Sequence, residues 1–318
     1  MHKLIASLAL GATLMSGMTS LASAQAVGIA TSNPGSLFHN IGTAVANAAN
    51  KAGLNTTIQP ATSPNQFIPL LNSGGIEFGV ANQQEVDYAL TGDAWWNGNK
   101  NPNLRIVGML MPLREAIFVR KDSDIMSLAD LKGQPMTDGY TAQNTILPQL
   151  DAFYATAGMT RADMVPINVP SVVGGADAFI AGDAVGFIFA HGAGKVREAD
   201  AAVGGLRALG VADSSDASLA EAKKHWPTAF FTVMKAGSSP GVLEDATYIA
   251  FPQVVFTHAG VSDEIVYEMT KAIYEGKAAM VETFKPFGAF NPADMKGATG
   301  AAGFHPGALK FFAEVGLK

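Results

Sequence analysis

The 318-residue chain is 48% hydrophobic and 15% charged, too apolar and too weakly charged for a disordered polypeptide, and long enough for two ordinary domains or one large one. Lys plus Arg number 21 against 27 Asp plus Glu, a formal charge of -6, and an acidic chain without basic runs lacks the footprint of a nucleic-acid binder. Cysteine is absent, which removes disulfides, thiolate metal sites and cysteine nucleophiles together.

Met1-His2-Lys3 is a short basic start, Leu4 to Met18 an apolar stretch, and Ala22-Ser23-Ala24 supplies small side chains at a signal-peptidase site. This layout predicts a cleavable signal peptide over 1–24 and a periplasmic mature protein. The apolar run is too short to span a bilayer well, and no later segment is long and apolar enough to do so. Val27 to Thr31 then reads as a buried strand. After Pro34 and Gly35, Ile41, Val45, Ala48, Ala49 and Ala52 recur at helical spacing, with Gly53 as the stop. Thr56 to Gln59 is a second strand. Ser63-Pro64-Asn65-Gln66 has the pattern of a capping box opening a helix. Phe78 to Ala81 is a third strand, and Glu85 to Leu90 begins another helix. This alternation predicts an α/β fold with a mostly parallel sheet flanked by helices.

Arg105 to Met111 and Glu115 to Arg120 are apolar stretches separated at Pro112, where a domain crossing is expected. The pattern then restarts. A one-turn helix opens at Ser127-Leu128-Ala129-Asp130, a polar loop spans Asp138 to Thr145, and a helix follows to about Ala157. Strands are expected at Met164 to Val169, Val185 to Phe189 and Leu206 to Val211, and one strand-like run from Tyr248 to Thr257. Ser262 caps a long helix, and Phe304-His305-Pro306-Gly307-Ala308 precedes a short one. Two α/β units with the C-terminal helices returning to the first predict a bilobed protein, lobe I over 25–113 and 258–318 and lobe II over 114–257, with a cleft between. Ligands in such folds sit beyond the carboxyl ends of strands, near helix N-termini.

Chemistry-bearing motifs are few. None of the six histidines forms a metal-binding pair, and neither a nucleophile elbow nor a phosphate-binding loop is present. No metal, cofactor or catalytic residue is expected. Gly174-Gly175 and Gly204-Gly205 read as turn glycines. His191, after an apolar strand, is either a hydrogen-bond donor at the cleft mouth or a loop histidine facing water. Arg114, at the crossing, is either a bidentate fork for a ligand carboxylate or a hinge ion pair with Glu115 or a neighbour. Trp95-Trp96 either marks a partner surface or covers a core edge. The Ser36 loop and Asn144-Thr145 each precede a helix. Their free N–H groups and the helix dipoles suit a small anionic or polar ligand.

Four stretches in order resemble the TAXI-type solute receptors of TRAP transporters, a branch of the type II periplasmic binding proteins. They are Gly35-Ser36-Leu37-Phe38 with Gly42, Ser63 to Gly74 with Phe78-Gly79-Val80-Ala81-Asn82, Asp122 to Gly133, and Phe304 to Ala308 with Glu314 and Gly316. The resemblance covers nearly the whole mature chain. It implies a two-lobed type II fold, each lobe a mixed, mostly parallel sheet with helices, and a non-enzymatic, monomeric receptor. Such a receptor delivers a small solute, of glutamate or 2-oxoglutarate type, to sodium-coupled integral-membrane TRAP subunits. Ser36, Leu37, Phe38, Asn65 and Asn82 would hold the ligand from lobe I, and Thr141, Gln143, Asn144, Thr145 and His191 from lobe II. Ser36 and Leu37 stand where the family usually has threonine and tyrosine. Ala142 and Asn144 replace two glycines, so side chains stand where bare backbone would approach a ligand. Three alternatives stay open: a receptor for an ATP-driven importer on the same fold, a secreted enzyme using His191, and a structural or signalling surface protein with an empty cleft.

Overall fold

The computed structural model of the protein describes residues 26–318, so the expected signal peptide lies outside the described residues. The chain opens with β1 (Ala26–Thr31), α1 (Leu37–Lys51), β2 (Asn55–Pro60), α2 (Pro64–Asn72), β3 (Phe78–Asn82), α3 (Gln83–Thr91) and β4 (Leu104–Met109). β1 is almost wholly buried and runs parallel to β2 and β3, as alternation with helices requires. Ser36 caps α1, its hydroxyl accepting the His39 N–H at 3.2 Å. Gly35, at φ 87°, makes the turn before it. Gly42 has no room for a Cβ against the Thr31 side chain, so α1 lies directly on β1.

The second unit contains β5 (Leu113–Arg120), β6 (Pro135–Asp138), α4 (Ile146–Thr156), β7 (Val165–Asn168), α5 (Val172–Ala181), β8 (Gly186–Ala190), α6 (Gly194–Val203), β9 (Leu206–Leu209), α7 (Asp216–His225), β10 (Phe230–Met234) and β11 (Ala246–Phe251). The chain then runs through β12 (Gln253–His258), α8 (Asp263–Glu275), α9 (Lys277–Thr283) and α10 (Pro306–Glu314). The first sheet has the order β2-β1-β3-β12-β4; the second has β10-β11-β5-β8-β6-β7, with β9 also on β5. Both sheets are mixed. β2-β1-β3 and β7-β6-β8 are parallel, while β12 runs against β3 and β4, and β5 against β8, β9 and β11.

The run expected as one strand from Tyr248 to Thr257 is two strands in different sheets. Pro252 separates them; it has no N–H to offer a ladder, and its carbonyl instead accepts the Gln83 N–H at 2.9 Å. β12 therefore belongs to the first sheet, and the chain leaves the second sheet at Pro252. Gly174 and Gly175 also depart from expectation, lying inside α5 rather than in a turn. A Cβ on Gly175 would press on the Tyr140 hydroxyl, so the helix needs the small residue to pack there. The capping box expected at Ser63 is likewise absent: Ser63 makes no cap, and Gln66 instead accepts the Thr62 N–H. Trp95 and Trp96 are half-buried against the core, Trp95 edge-on to Tyr88 at 5.5 Å, and so cover a core edge.

Candidate functional site

Two cavities lie along the junction of the lobes. The inner one sits where α1, α3 and α4 begin. It is lined by Ser32, Ser36, Leu37, Phe38 and Asn82 from lobe I and by Glu115, Gln143, Thr145, Gln149 and Ala190, among others, from lobe II. Its free space is only about 30 Å³, enough for a water or two. The lobes are thus closed on each other. Ser63, fully buried, donates its hydroxyl to the Ala142 carbonyl of lobe II at 2.7 Å, and the Lys195 N–H donates to the Gly35 carbonyl at 3.2 Å. The Ser63 hydroxyl thus serves the interlobe contact, which is why it does not cap α2.

Of the residues expected from the sequence, Ser36, Leu37, Phe38, Asn82, Gln143 and Thr145 meet in this pocket. The two helix N-termini expected to face each other, at α1 and α4, both border it. Asn65 is half-buried and does not line it. Thr141 and Asn144 are exposed. Gln143 holds the loop in place: its side-chain oxygen accepts the Val172 N–H at 3.1 Å. Tyr140, just before this loop, has φ 36°, a left-handed conformation uncommon outside glycine. Its buried hydroxyl is hydrogen-bonded to Thr137 at 2.7 Å, which pins the loop despite that strain.

Arg114 and His191 lie elsewhere. Successive residues of a strand face opposite sides, so Arg114 and Glu115 of β5 cannot both reach one cavity. Glu115 pairs with Ala190 in register, and both line the inner pocket. Arg114 and His191 instead line a second groove, of about 370 Å³, together with Lys235, Ser238, Ser239 and Lys285. His191 does not face water; it is buried edge-on to Phe118 and Tyr248, with ring centroids 5.1 and 4.7 Å away. Burial, with the Arg114 charge adding to it, pushes its pKa down to about 3, so the ring is neutral at any ordinary pH. No ion pair joins Arg114 to Glu115 among the described residues.

The residues that sequence reasoning missed are two buried carboxyls. Glu85 sits in the first turn of α3 and accepts the Asn82 N–H at 3.0 Å. Burial raises it to about 7, opposed by hydrogen bonds from Asn82 and the side chain of Thr145. Glu115 is raised to about 8, first by burial and then by the charge of Glu85. These acids come from different lobes, and neither has a basic partner. Around them Ser32 Oγ, Asn82 Oδ1, Glu115 Oε2 and both polar atoms of Gln149 are buried without a protein partner. A buried polar group left unpaired is costly, so this pocket holds a concentration of unmet hydrogen bonds. Groups of this kind are ones that a polar molecule entering the cavity could satisfy. The sequence signal available was Glu115 itself, a carboxylate beside Ala116-Ile117-Phe118-Val119 in a strand pattern.

The contact at Ser63 has a measurable consequence. Ser63→Ala removes one interlobe hydrogen bond worth about 0.5–1.5 kcal/mol and leaves the part-buried Ala142 carbonyl without that partner. The variant is expected to shift the balance between closed and open lobes roughly 2–10-fold toward open. Small-angle scattering of both proteins checks this; equal dimensions would contradict it.

A family description, the NMT1-like family, matches residues 29–316 of the chain. Among solved structures, the chain is similar to the alkanesulfonate-binding protein SsuA from Xanthomonas axonopodis pv. citri, bound to MOPS, at 15% identity and a TM-score of 0.51, covering 91% of this chain and 83% of that one. It is similar to a Bordetella bronchiseptica protein at 13% identity and a TM-score of 0.53, covering 92% and 98%. A third structure, concerning glutathione import via GshT and the cystine ABC importer TcyBC of Streptococcus mutans, has 15% identity and a TM-score of 0.50, covering 85% and 99%. At these identities the likeness is one of fold: two mixed sheets flanked by helices, as in the periplasmic binding proteins.

Proposed function

The chain belongs to the NMT1-like family, and we propose that it is an exported solute receptor that captures a small polar solute between its lobes and hands it to a membrane importer. The observation that carries this reading is the inner pocket, whose unpaired buried polar groups come from both lobes. A solute that touches both lobes binds the closed arrangement more tightly than the open one, and so shifts the population toward closure. Residues Ser36 and Asn82 would act from lobe I, and Thr145 and Gln149 from lobe II. The closed shape is what a membrane partner would read. No bond need be made or broken, and the neutral, ring-packed His191 supports no acid–base role.

The resemblance at Gly35 to Phe38 and Phe304 to Ala308 supports a TAXI-type receptor serving a sodium-coupled TRAP importer. A second reading, an ATP-driven importer as the recipient, is favoured by the likeness to the structure concerning GshT and an ABC importer. Collapse of the sodium gradient in whole cells should stop uptake under the first reading and spare it under the second. The receptor reading itself is tested by unfolding and refolding the protein, then melting it against a panel of small polar solutes. A solute at about 100 times its dissociation constant adds roughly 2.7 kcal/mol of stability. A panel that leaves the midpoint unmoved, with a stable protein partner recovered from the same compartment, would overturn it.

A further inference from the structure

The resemblance to TAXI receptors points to a carboxylate-bearing solute, yet among the described residues no lysine or arginine lines the inner pocket, and Glu115 is the one ionisable residue that does. Glu115 is 3% exposed, Asn82 3% and Gln149 1%, so all three are well past nine-tenths buried. Glu115 Oε2, Asn82 Oδ1 and Gln149 Oε1 are acceptors without a protein partner, against a single unpartnered amide donor, Gln149 Nε2. The Ser32 hydroxyl, also unpartnered, can serve either way. The protonated Glu115 carboxyl has one O–H to donate, but once it ionises a carboxylate arriving here would add acceptors to a site already rich in them. An ammonium group carries three donors and no acceptor, and it matches the set.

We propose that the pocket takes its solute through a protonated nitrogen, received by Glu115 together with Asn82 and Gln149, with Glu85 as the second carboxyl across the cleft. This rests on the receptor reading and names the chemistry of the same site. Glu85 comes from lobe I and Glu115 from lobe II, so ionising both without a cation between them sets like charges against each other across the closure. A cation seated there removes that opposition, and the lobes close as the carboxyls ionise.

Other ionisable groups nearby do not compensate. The Tyr140 hydroxyl is held in its protonated form by burial, His191 is neutral, and Arg114 faces the groove on the other side of β5. Proton release on binding therefore comes from the Glu85–Glu115 pair, titrating as a unit. The N-termini of α1 and α4 border the same pocket and suit a carboxylate. A plain amine would use the acidic side alone; an amino acid would use both.

The test is calorimetric titration of the refolded protein at pH 7.5, in two buffers of different ionisation enthalpy. The probes are ethanolamine and putrescine as amines, glycine and glutamate as amino acids, and succinate and 2-oxoglutarate as acids without nitrogen. Glutamate and 2-oxoglutarate differ at the decisive group. Binding is expected from the amine or amino-acid probes alone, with up to about one proton released per solute and an affinity that rises several-fold from pH 6.5 to 8.5. Glu115→Gln should weaken it at least tenfold and suppress the release; should that variant fail to fold, Gln149→Leu and the wild-type proton count serve in its place. Binding of 2-oxoglutarate or succinate as tight as that of the nitrogen-bearing probes would overturn the proposal and leave the receptor standing. Amine binding without proton release, indifferent to Glu115→Gln, would overturn the role given to Glu115. Binding by none of the probes would count against both.

Discussion

Replacing Glu115 by glutamine is expected to flatten the pH dependence of stability and to make the protein more stable at pH 8. The Glu115 carboxyl is raised from 4.5 to about 8 by burial and by the charge of Glu85. Below pH 4.5 the folded and unfolded states both hold the proton, and the group contributes nothing. Between 4.5 and 8 the folded protein keeps a proton that the unfolded chain releases, so stability falls as pH rises, by up to about 1.4 kcal/mol per unit for one group. Above 8 both states are ionised and the full penalty remains. Glu85, also raised by burial, acts in the same direction and titrates together with it. Glutamine has the same shape and no charge to desolvate. The variant should match the wild type near pH 5 and exceed it by about 2–4 kcal/mol at pH 8. Urea unfolding at the two pH values decides this, and parallel pH slopes in the two proteins would contradict it.

The second large effect concerns the pocket's volume. Ala190 ends β8 beside Glu115 and forms part of the wall of a cavity of about 30 Å³. Ala190→Leu adds three carbon atoms at that wall, so lobes that have parted to admit a solute cannot close over it again. Overpacking of this kind costs about 1–3 kcal/mol of stability, which a domain of this size tolerates. Solute affinity should fall more than 100-fold, about 2.7 kcal/mol, because closure over a solute becomes sterically impossible. Titration of the folded variant with the wild type's solute measures this. Wild-type affinity in Ala190→Leu would place the solute somewhere other than the inner pocket.

The first half of lobe I was legible because its signals are local. The β1–α1–β2–α2–β3–α3 alternation follows from apolar runs of strand length separated by helical spacing, and Ser36 as the cap of α1 from its place before Leu37. What failed was information held in tertiary contacts. Tyr248 to Thr257 is apolar but for Pro252-Gln253 and its last residue, so its sequence reads as one strand and hides the change of sheet at Pro252. Strand β6 is four residues long and begins with Pro135, too little pattern to read. Helix α5 was obscured by Gly174-Gly175, whose helical place depends on the approach of Tyr140.

The site shows the same division. Ser36, Asn82 and Thr145 could be found because helix N-termini announce themselves by residue type. Arg114 drew attention by its charge, but strand alternation allows only one of Arg114 and Glu115 to face the inner pocket. The sequence does not say which, and the register with Ala190 does. Glu85 reads as an ordinary first-turn acid of a helix, yet it is buried, with the Thr145 side chain of lobe II hydrogen-bonded to it. A carboxyl that meets a side chain some 60 positions away cannot be recognised as buried from its neighbours in sequence.

The most direct measurement is a crystal structure of the protein with the solute that raises its melting midpoint most. That solute is expected between the Ser36 loop and Gln149, with a nitrogen within hydrogen-bond distance of the Glu115 carboxyl and both lobes in contact with it. Density for the solute in the Arg114–His191 groove, with the inner pocket unchanged, would contradict it.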